Sequence, residues 1–256
     1  LKHSRTPRQI AGRLHREARD ESVALMKGSV PAQGKTVSHE AIYRFIYALP
    51  KGELAAHGVM LRSKRTRRRA PKPLGQRGAP IVGMVSIDDR EDLAERRVPG
   101  HWEGDLIKGA GNRSAVGTLV ERKSRYLIMT RLPDCSAQSL LEAFTARFRH
   151  VPACVRKTLT YDQGKEMAKH EELARRLKID VYFADPHSPW QRPTNENTNG
   201  LIRDFYPEGT NFNDITDREL ATTQDLLNTR PRKVLHYATP SETLNTNIQR
   251  AIALTA

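Results

Sequence analysis

From residue 100 onward, segments with the pattern of a strand alternate with segments with the pattern of a helix, and this alternation constrains the fold most. Short apolar runs predict strands near 102–107 and at 115–121, 125–131, 158–161 and 181–184. Helical spacing predicts helices at 136–149, at about 166–177 and around Glu196. Three successive strands, followed by alternating helices and strands, indicate a mixed α/β sheet with flanking helices.

The stretch at 185–200, DPHSPWQRPTNENTNG, is poor in aliphatic side chains and rich in groups that turn, cap or bind. Its three prolines fix backbone φ and remove donors, so its first half predicts an ordered, non-helical loop. Thr194 is expected to cap a helix whose first turn carries Glu196. The Glu196 carboxylate either complements the helix dipole or points into a cleft, and both interpretations fit this stretch alone.

Two further acids stand where predicted apolar strands end. Asp105 lies in HWEGDLI and Asp162 lies in TLTYDQGKE, and 33 residues separate Asp162 from Glu196. Glu103 shares a strand with Asp105 at a spacing of two, so it should point to the same face and is a candidate supporting group. Three acids placed in this way are candidates for one catalytic site.

These motifs resemble the insertion sequence 30 family of bacterial transposases, within the DDE transposase and integrase superfamily, whose signature includes a final Asp and Glu about this far apart. The resemblance follows the chain in order from about residue 6 to 245. It is carried by GHWEGDLI at 100–107, GTLVERKSRY at 117–126, the Asp162 region, DPHSPWQR at 185–192, TNENTNG at 194–200 and LNTRPRK at 227–233.

The resemblance implies a ribonuclease H-like catalytic core in which Asp105, Asp162 and Glu196 are the catalytic residues and bind Mg²⁺ or Mn²⁺. Asp105 would bridge two ions, while Asp162 and Glu196 would each hold mainly one, since oxygen ligands suit a hard ion. It also implies a polynucleotidyl transferase that cleaves element ends and joins them to DNA, in DNA recombination and integration. Its partners would be the terminal inverted repeats, target DNA and further copies of the chain, forming a homo-oligomer on DNA.

One position departs from the family pattern. The residue before TNENTNG is usually glycine in the family, and here it is Pro193. A glycine can adopt φ values that proline cannot, so either Pro193 remodels the loop and displaces Glu196 or the loop is tuned around proline.

Positive charge is concentrated in the first third of the chain. Residues 1–80 hold 18 Lys and Arg against 5 Asp and Glu, a net charge of +13, whereas residues 81–256 hold 25 against 24, a net charge of +1. This asymmetry indicates a polyanion-binding arm on a nearly neutral domain. The run RSKRTRRR at 62–69 should track phosphates without reading base sequence. The predicted DNA contacts in that run are Arg62, Lys64, Arg65, Arg67, Arg68 and Arg69.

Two short helices are predicted before that basic run. Thr6 should cap the first, and the second should extend from Ser38 to about Tyr47 with Phe45 facing inward. The pair fits either a plain amphipathic pair of helices or a helix-turn-helix DNA reader, and the family resemblance favours the helix-turn-helix. The predicted DNA contacts outside the basic run are Ser38, His39, Arg44 and, much later in the chain, Arg192.

The predicted organisation is a helix-turn-helix region at 1–60, a basic linker at 61–98 and a catalytic core at 99–256. Because family members usually carry another helix-turn-helix upstream, the chain is expected to be truncated at its N-terminus. No apolar run approaches the roughly 18 residues needed to span a membrane, so no membrane partner is expected. Two cysteines without CxxC spacing fit a reducing compartment, and we expect a bacterial cytoplasmic, nucleoid-associated protein.

Other functions are weighed against this prediction. A DNA-binding protein that occupies element ends without catalysis would need the same basic arm, and a truncated transposase could act in that way. A retroviral-type integrase is disfavoured because its zinc module needs paired His and Cys, and the first hundred residues contain no Cys. A ribonuclease acting on hybrids would not need so positive an arm.

Overall fold

The computed structural model describes residues 5–26, 34–48, 81–89, 97–186, 188 and 191–254. The chain divides into two units, one formed by residues 1–74 and 226–243 and the other by residues 75–225 and 244–256. The segment at 226–243, predicted to be part of the catalytic core, therefore groups with the N-terminal unit. The basic run at 62–69 lies outside the described residues.

The second unit is built on one five-stranded sheet. Its strands are β1 (His101–Lys108), β2 (Ala115–Glu121), β3 (Leu127–Leu132), β4 (Thr158–Tyr161) and β5 (Asp180–Phe183). The strand order is β3-β2-β1-β4-β5. Neighbours among β1, β2 and β3 are antiparallel, whereas β4 is parallel to β1 and β5 is parallel to β4. The predicted mixed α/β sheet is confirmed, and this order and these directions are those of the ribonuclease H-like fold.

The described helices are α1 (Pro7–Arg19), α2 (His39–Ala48), α3 (Ala137–Phe148), α4 (His170–Leu177), α5 (Pro193–Ile202), α6 (Asp217–Asn228) and α7 (Pro240–Ala253). The helix predicted at 166–177 is shorter than expected, because a separate 3₁₀ turn at Lys165–Met167 precedes α4. Within the described ranges, no helix is long and apolar enough to cross a membrane.

The main core lies between the sheet and α3. Trp102 of β1 is fully buried, its ring centroid lies 4.9 Å from that of Phe148, and its indole N–H donates to the Val155 carbonyl at 2.8 Å. Burying an aromatic or aliphatic side chain of this kind contributes about 1.5–3 kcal/mol relative to exposure. Successive residues of a strand point to opposite faces, so Glu103 and Asp105 lie on the other side of the sheet from Trp102.

Close approach of α3 to the sheet depends on a residue without a side chain. A Cβ added at Gly117 of β2 would lie 2.5 Å from a ring carbon of Phe144 and 3.1 Å from a methyl carbon of Leu132. Both neighbours are fully buried, so neither has free space into which it can move. Gly117 therefore sets the spacing between helix and sheet.

The N-terminal unit is held by a buried arginine. The predicted cap of α1 is confirmed, since Thr6 and Gln9 exchange the two hydrogen bonds of a capping box. Further along α1, the Arg13 guanidinium donates to both carboxylate oxygens of Glu242, at 2.7 and 2.6 Å, and to Glu17 at 2.7 Å. Because Arg13 is only 3% exposed, this bidentate pair joins α1 firmly to the start of α7.

Helix α2 begins at His39, one residue later than predicted, and the Ser38 hydroxyl before it accepts the Ala41 N–H at 3.0 Å. The prediction that Phe45 faces inward is wrong, because its side chain is 65% exposed. A helix turns about 100° per residue, so burial of the neighbouring Ile46 directs Phe45 away from the core. The helix-turn-helix stays a prediction, since residues 27–33 between the two helices lie outside the described ones.

Candidate active site

Two aspartates meet at neighbouring parallel strands. The register of β1 and β4 pairs Glu103 with Thr160. Asp105 and Asp162 each lie two residues further on, so their side chains are adjacent on the same face of the sheet. The structure therefore brings together the first two of the three predicted catalytic acids.

The guanidinium of Arg192 lies between these two carboxylates. Its Nη1 is 3.8 Å from Oδ1 of Asp105, and its Nη2 is 3.4 Å from Oδ2 of Asp162. Nη1 also donates to the Gly104 carbonyl at 3.0 Å. The Arg192 side chain is only 14% exposed. Arg192 was predicted to contact DNA, and in this structure its charge faces the aspartates.

Asp105 is fixed by further donors. Its Oδ1 accepts the backbone N–H of Leu106 at 2.9 Å, and its Oδ2 accepts the side-chain amide of Asn199 at 2.8 Å. The buried hydroxyl of Thr118 on β2 lies 3.2 Å from the side-chain oxygens of both Asn195 and Asn199. This network attaches α5 to β1 and β2 at the position of Asp105.

Asp105 is electrostatically perturbed. Burial raises the pKa of Asp105 to about 6 from its usual value of 3.8, the nearby Arg192 guanidinium opposes that rise, and the Asp162 carboxylate adds to it. Burial also raises the pKa of Tyr161, which lies beside these acids and is fully buried. A perturbed carboxyl that feels the charge of a second acid is typical of a functional site.

Helix α5 begins two residues earlier than predicted. Its N-cap is Arg192, which makes no side-chain cap, so the prediction that Thr194 caps the helix is wrong. Thr194 lies inside the first turn, where its hydroxyl accepts from Nη1 of Arg125 at 2.5 Å. Pro193 is the first helical residue. Proline is favoured there because its missing N–H has no helical partner and its φ is already helical, so Pro193 fits α5 without remodelling it.

A strand residue supplies the missing cap. Oε2 of Glu103 accepts the backbone N–H of Asn195 at 2.8 Å, and its Oε1 accepts from Nε of Arg122 at 3.1 Å. Glu103 is fully buried. A carboxylate at a helix N-terminus satisfies a free donor and complements the helix dipole. The Glu103 carboxylate therefore holds the turn that carries Glu196 against β1.

The loop before α5 is closed by one side chain. Gln191 accepts the backbone N–H of Asp185 at 2.7 Å and donates to the Asp185 carboxylate at 2.8 Å. These reciprocal bonds join Asp185 to Gln191 directly. His187, Pro189 and Trp190, which lie between them, are outside the described residues.

Glu196, the third predicted catalytic acid, is exposed on the first turn of α5. Across the described ranges, no three His, Cys, Asp or Glu side chains lie close enough together to hold a metal ion. Asp105 and Asp162 nevertheless fit a divalent cation, because their carboxylates already share one positive group and supply the oxygen ligands that Mg²⁺ takes.

The remaining predicted DNA contacts are only partly described. Ser38 uses its hydroxyl to cap α2, while His39 and Arg44 are exposed, and Nε of Arg44 lies 3.8 Å from Glu40. The residues of the basic run that lie outside the described part of the chain are Arg62, Lys64, Arg65, Arg67, Arg68 and Arg69.

Sequence reasoning missed two residues that support the site, Thr118 and Arg122. Thr118 is the one polar side chain in the apolar run AVGTLV, and Arg122 directly follows that strand's final acid, Glu121. A lone hydroxyl within an otherwise apolar strand is a usable signal, because a buried hydroxyl needs a hydrogen-bonding partner. It could not have identified α5 as that partner.

A ribonuclease H-like sheet with two adjacent aspartates on β1 and after β4 defines the class of integrase-core proteins. The family model of this class, described as Integrase core domain, matches residues 95–189. The matched range includes Asp105 and Asp162 but ends before Glu196.

Named relatives narrow this class. The chain is 50% identical over 228 residues to the transposase for insertion sequence element IS1086 of Cupriavidus metallidurans, covering 88% of this chain and 67% of that protein. It is 40% identical over 254 residues to transposase InsI for insertion sequence element IS30A of Escherichia coli, covering 98% of this chain and 62% of that protein. The chain belongs to the insertion sequence 30 family of transposases, and it spans less than two thirds of the E. coli relative's length.

A solved structure is also similar. It is a chain of the simian T-cell lymphotropic virus intasome in complex with PP2A regulatory subunit B56 gamma, with a TM-score of 0.48 and 15% identity. The similarity covers 79% of this chain and 69% of that chain.

Proposed function

We propose that this chain cleaves the ends of an insertion element and joins them to DNA by metal-dependent phosphoryl transfer. Water would attack the phosphodiester at the element end and release a 3′-hydroxyl, which would then attack a phosphodiester of the target and displace its leaving oxygen. The observation that supports this proposal is the convergence of the Asp105 and Asp162 carboxylates on a single positive group.

In this proposal Asp105 and Asp162 hold Mg²⁺ or Mn²⁺, and Glu196 is the third ligand. The bound ion would polarise the phosphodiester and lower the pKa of the attacking water. The chain itself prepares the ligands. The Leu106 N–H and the Asn199 amide hold both oxygens of Asp105, and the Gly164 N–H donates to Oδ1 of Asp162 at 3.3 Å.

The proposed partner is DNA, both the terminal inverted repeats and the target. His39 and Arg44 present exposed polar groups on α2, and the net charge of +13 on residues 1–80 favours phosphate binding. The helix-turn-helix, the phosphate contacts of the basic run, a homo-oligomer on DNA and a nucleoid-associated location in a bacterial cytoplasm are parts of the same proposal.

The test is divalent-cation-dependent nicking of a duplex that carries the native element end. The parent would be compared with Asp162→Asn, with Glu196→Gln and with the control Asp134→Asn, which changes an exposed acid. Cleavage should fall by roughly two or more orders of magnitude in the first two variants, because each removes a metal ligand, and should persist in the control. DNA affinity should change little in all three, because the basic arm is untouched. Near-parent cleavage by Asp162→Asn or Glu196→Gln would show that the assignment is wrong.

The second candidate is a transposase relative that binds element ends without cutting them. The observation that favours it is the exposure of Glu196 together with the position of Arg192 on the two aspartates. A parent protein that binds the element end tightly but never nicks it, with Mg²⁺ or with Mn²⁺, would establish this alternative.

A further inference from the structure

The guanidinium of Arg192 contacts both aspartates of the acidic site. Its two terminal nitrogens each approach a different aspartate, at 3.8 and 3.4 Å, and one of them also donates to the Gly104 carbonyl. Its Nε is buried and has no hydrogen-bonding partner within the described part of the chain. Among the described residues, the guanidinium is therefore held by the two carboxylates and one carbonyl.

The backbone around Arg192 limits where this charge can go. Arg192 is the N-cap of α5, and the next residue, Pro193, is the first residue of the helix. The preceding residue, Gln191, is tied to Asp185 by two hydrogen bonds. Because both flanking residues are held, only rotation of the side chain can take the guanidinium out of the space between Asp105 and Asp162.

The same space is where the proposed cation would bind. Nη2 of Arg192 approaches Oδ2 of Asp162, and Nη1 approaches Oδ1 of Asp105. A divalent cation held by these oxygens would lie against a guanidinium of the same sign. Two positive groups in one partly buried space repel each other strongly, so they cannot share both carboxylates.

We propose that Arg192 is a built-in competitor of the divalent cation: its guanidinium holds Asp105 and Asp162 together in the metal-free protein and leaves them when the cation binds. This inference rests on the proposed function for the existence of the cation site. It predicts that the measured metal affinity reflects the difference between the free energies with which the cation and the guanidinium bind the two carboxylates. Removal of Arg192 should therefore strengthen metal binding, whereas a merely structural role would weaken it.

The experiment is isothermal titration of the full chain with Mn²⁺, without DNA. Arg192→Gln should bind Mn²⁺ roughly tenfold or more tightly than the parent, a coupling of ordinary size between two competing occupants. Arg192→Lys keeps the charge but lacks the planar fork that reaches both carboxylates, so its affinity should be intermediate. Arg131→Gln is the matched control, because it removes one positive charge from β3, where Arg131 lies 3.3 Å from Asp217, and its affinity should equal that of the parent.

The outcomes separate this inference from the proposed function. If the parent binds Mn²⁺ and Asp162→Asn does not, the cation site exists, and equal or weaker binding by Arg192→Gln then overturns the inference alone. Binding that appears only in Arg192→Gln supports the inference. If neither the parent nor Arg192→Gln binds the ion, both the proposed metal-dependent function and the inferred competition by Arg192 are overturned. Should Arg192→Gln not fold, unchanged affinity in Arg192→Lys would overturn the inference.

Discussion

The carboxylate of Glu103 accepts the backbone N–H of Asn195 at 2.8 Å, although 92 positions of sequence separate the two residues. Glu103 lies on the same strand as Asp105, and Asn195 directly precedes Glu196. One hydrogen bond thus links the strand of the first proposed catalytic acid to the helix of the third. The spacing between those acids depends on a residue outside the proposed triad.

We expect Glu103→Gln to lower the free energy of unfolding by about 3 kcal/mol, because it removes the buried charge that faces Arg122. Urea denaturation of the metal-free protein measures this. Asp217→Asn is the control, since it changes an exposed pair, and it should stay within about 0.5 kcal/mol of the parent. Equal losses in the two variants would contradict a supporting role for Glu103.

Asp105 should make the metal-free protein less stable as pH rises. Its folded pKa of about 6 lies above its usual 3.8, so the folded state binds the proton more tightly. The stability that this proton contributes is complete below the lower value and is lost as pH rises through the higher one. As pH rises from about 4 to about 8, the free energy of unfolding of Asp105→Asn should increase by about 3 kcal/mol relative to that of the parent. Urea denaturation with a chelator present measures this difference.

Asp134→Asn is the control of opposite sign. Hydrogen bonds from Ser136 lower the pKa of Asp134. Its contribution to stability is therefore present above its unfolded pKa and is lost as pH falls. The stability of Asp134→Asn should therefore decrease relative to that of the parent as pH rises. If Asp105→Asn showed no change with pH relative to the parent, the perturbation of Asp105 would be refuted.

Pro193→Gly should destabilise the protein by about 0.4–1 kcal/mol, because proline at the first helical position restricts the unfolded chain without straining the folded one. Thermal unfolding measures the loss. The cleavage rate should not rise, since the structure needs no glycine there to begin α5. Faster cleavage by the glycine variant would mean that proline displaces Glu196 in the working enzyme.

The basic run should dominate the salt dependence of DNA binding. Replacing Arg67, Arg68 and Arg69 by Gln in the full chain should reduce the slope of log affinity against log salt concentration by up to about three, roughly one for each phosphate that the variant no longer neutralises. The matched control replaces Arg175, Arg176 and Lys178, three exposed cations at the end of α4. Fluorescence anisotropy across a salt series gives both slopes, and equal slopes would exclude the run from the interface.

Local pattern was sufficient for the strands. The bounds of β2 and β4 agree with the runs predicted at 115–121 and 158–161, because both runs are rich in the β-branched and apolar residues that favour strands. The start of α5 was misplaced at Thr194 because its cap comes from a distant strand. No local pattern contains that contact.

The pair of aspartates was predictable from the sequence, whereas the contact of Arg192 with them was not. Asp105 lies on β1 and Asp162 directly follows β4, both strands that the sequence predicted, and parallel neighbours bring such positions together. Arg192 was assigned to DNA because it matches a family position whose side chain could hold a phosphate. Among the described residues, the bonds between Gln191 and Asp185 and the start of α5 fix the backbone on either side of Arg192, from which its side chain reaches the aspartates.

The pairing of Arg13 with Glu242 sets an order of events during synthesis. The two residues are 229 positions apart, and the whole sheet is encoded between them. A ribosome adds roughly 5–20 residues each second, so roughly 10 to 45 seconds pass before the guanidinium of Arg13 meets this carboxylate. In that interval the sheet can pair its strands, whereas the N-terminal unit still lacks one of its segments. The part of the chain that is made first therefore waits for the segment at 226–243, and residues 244–256 of the sheet unit are made only after that segment.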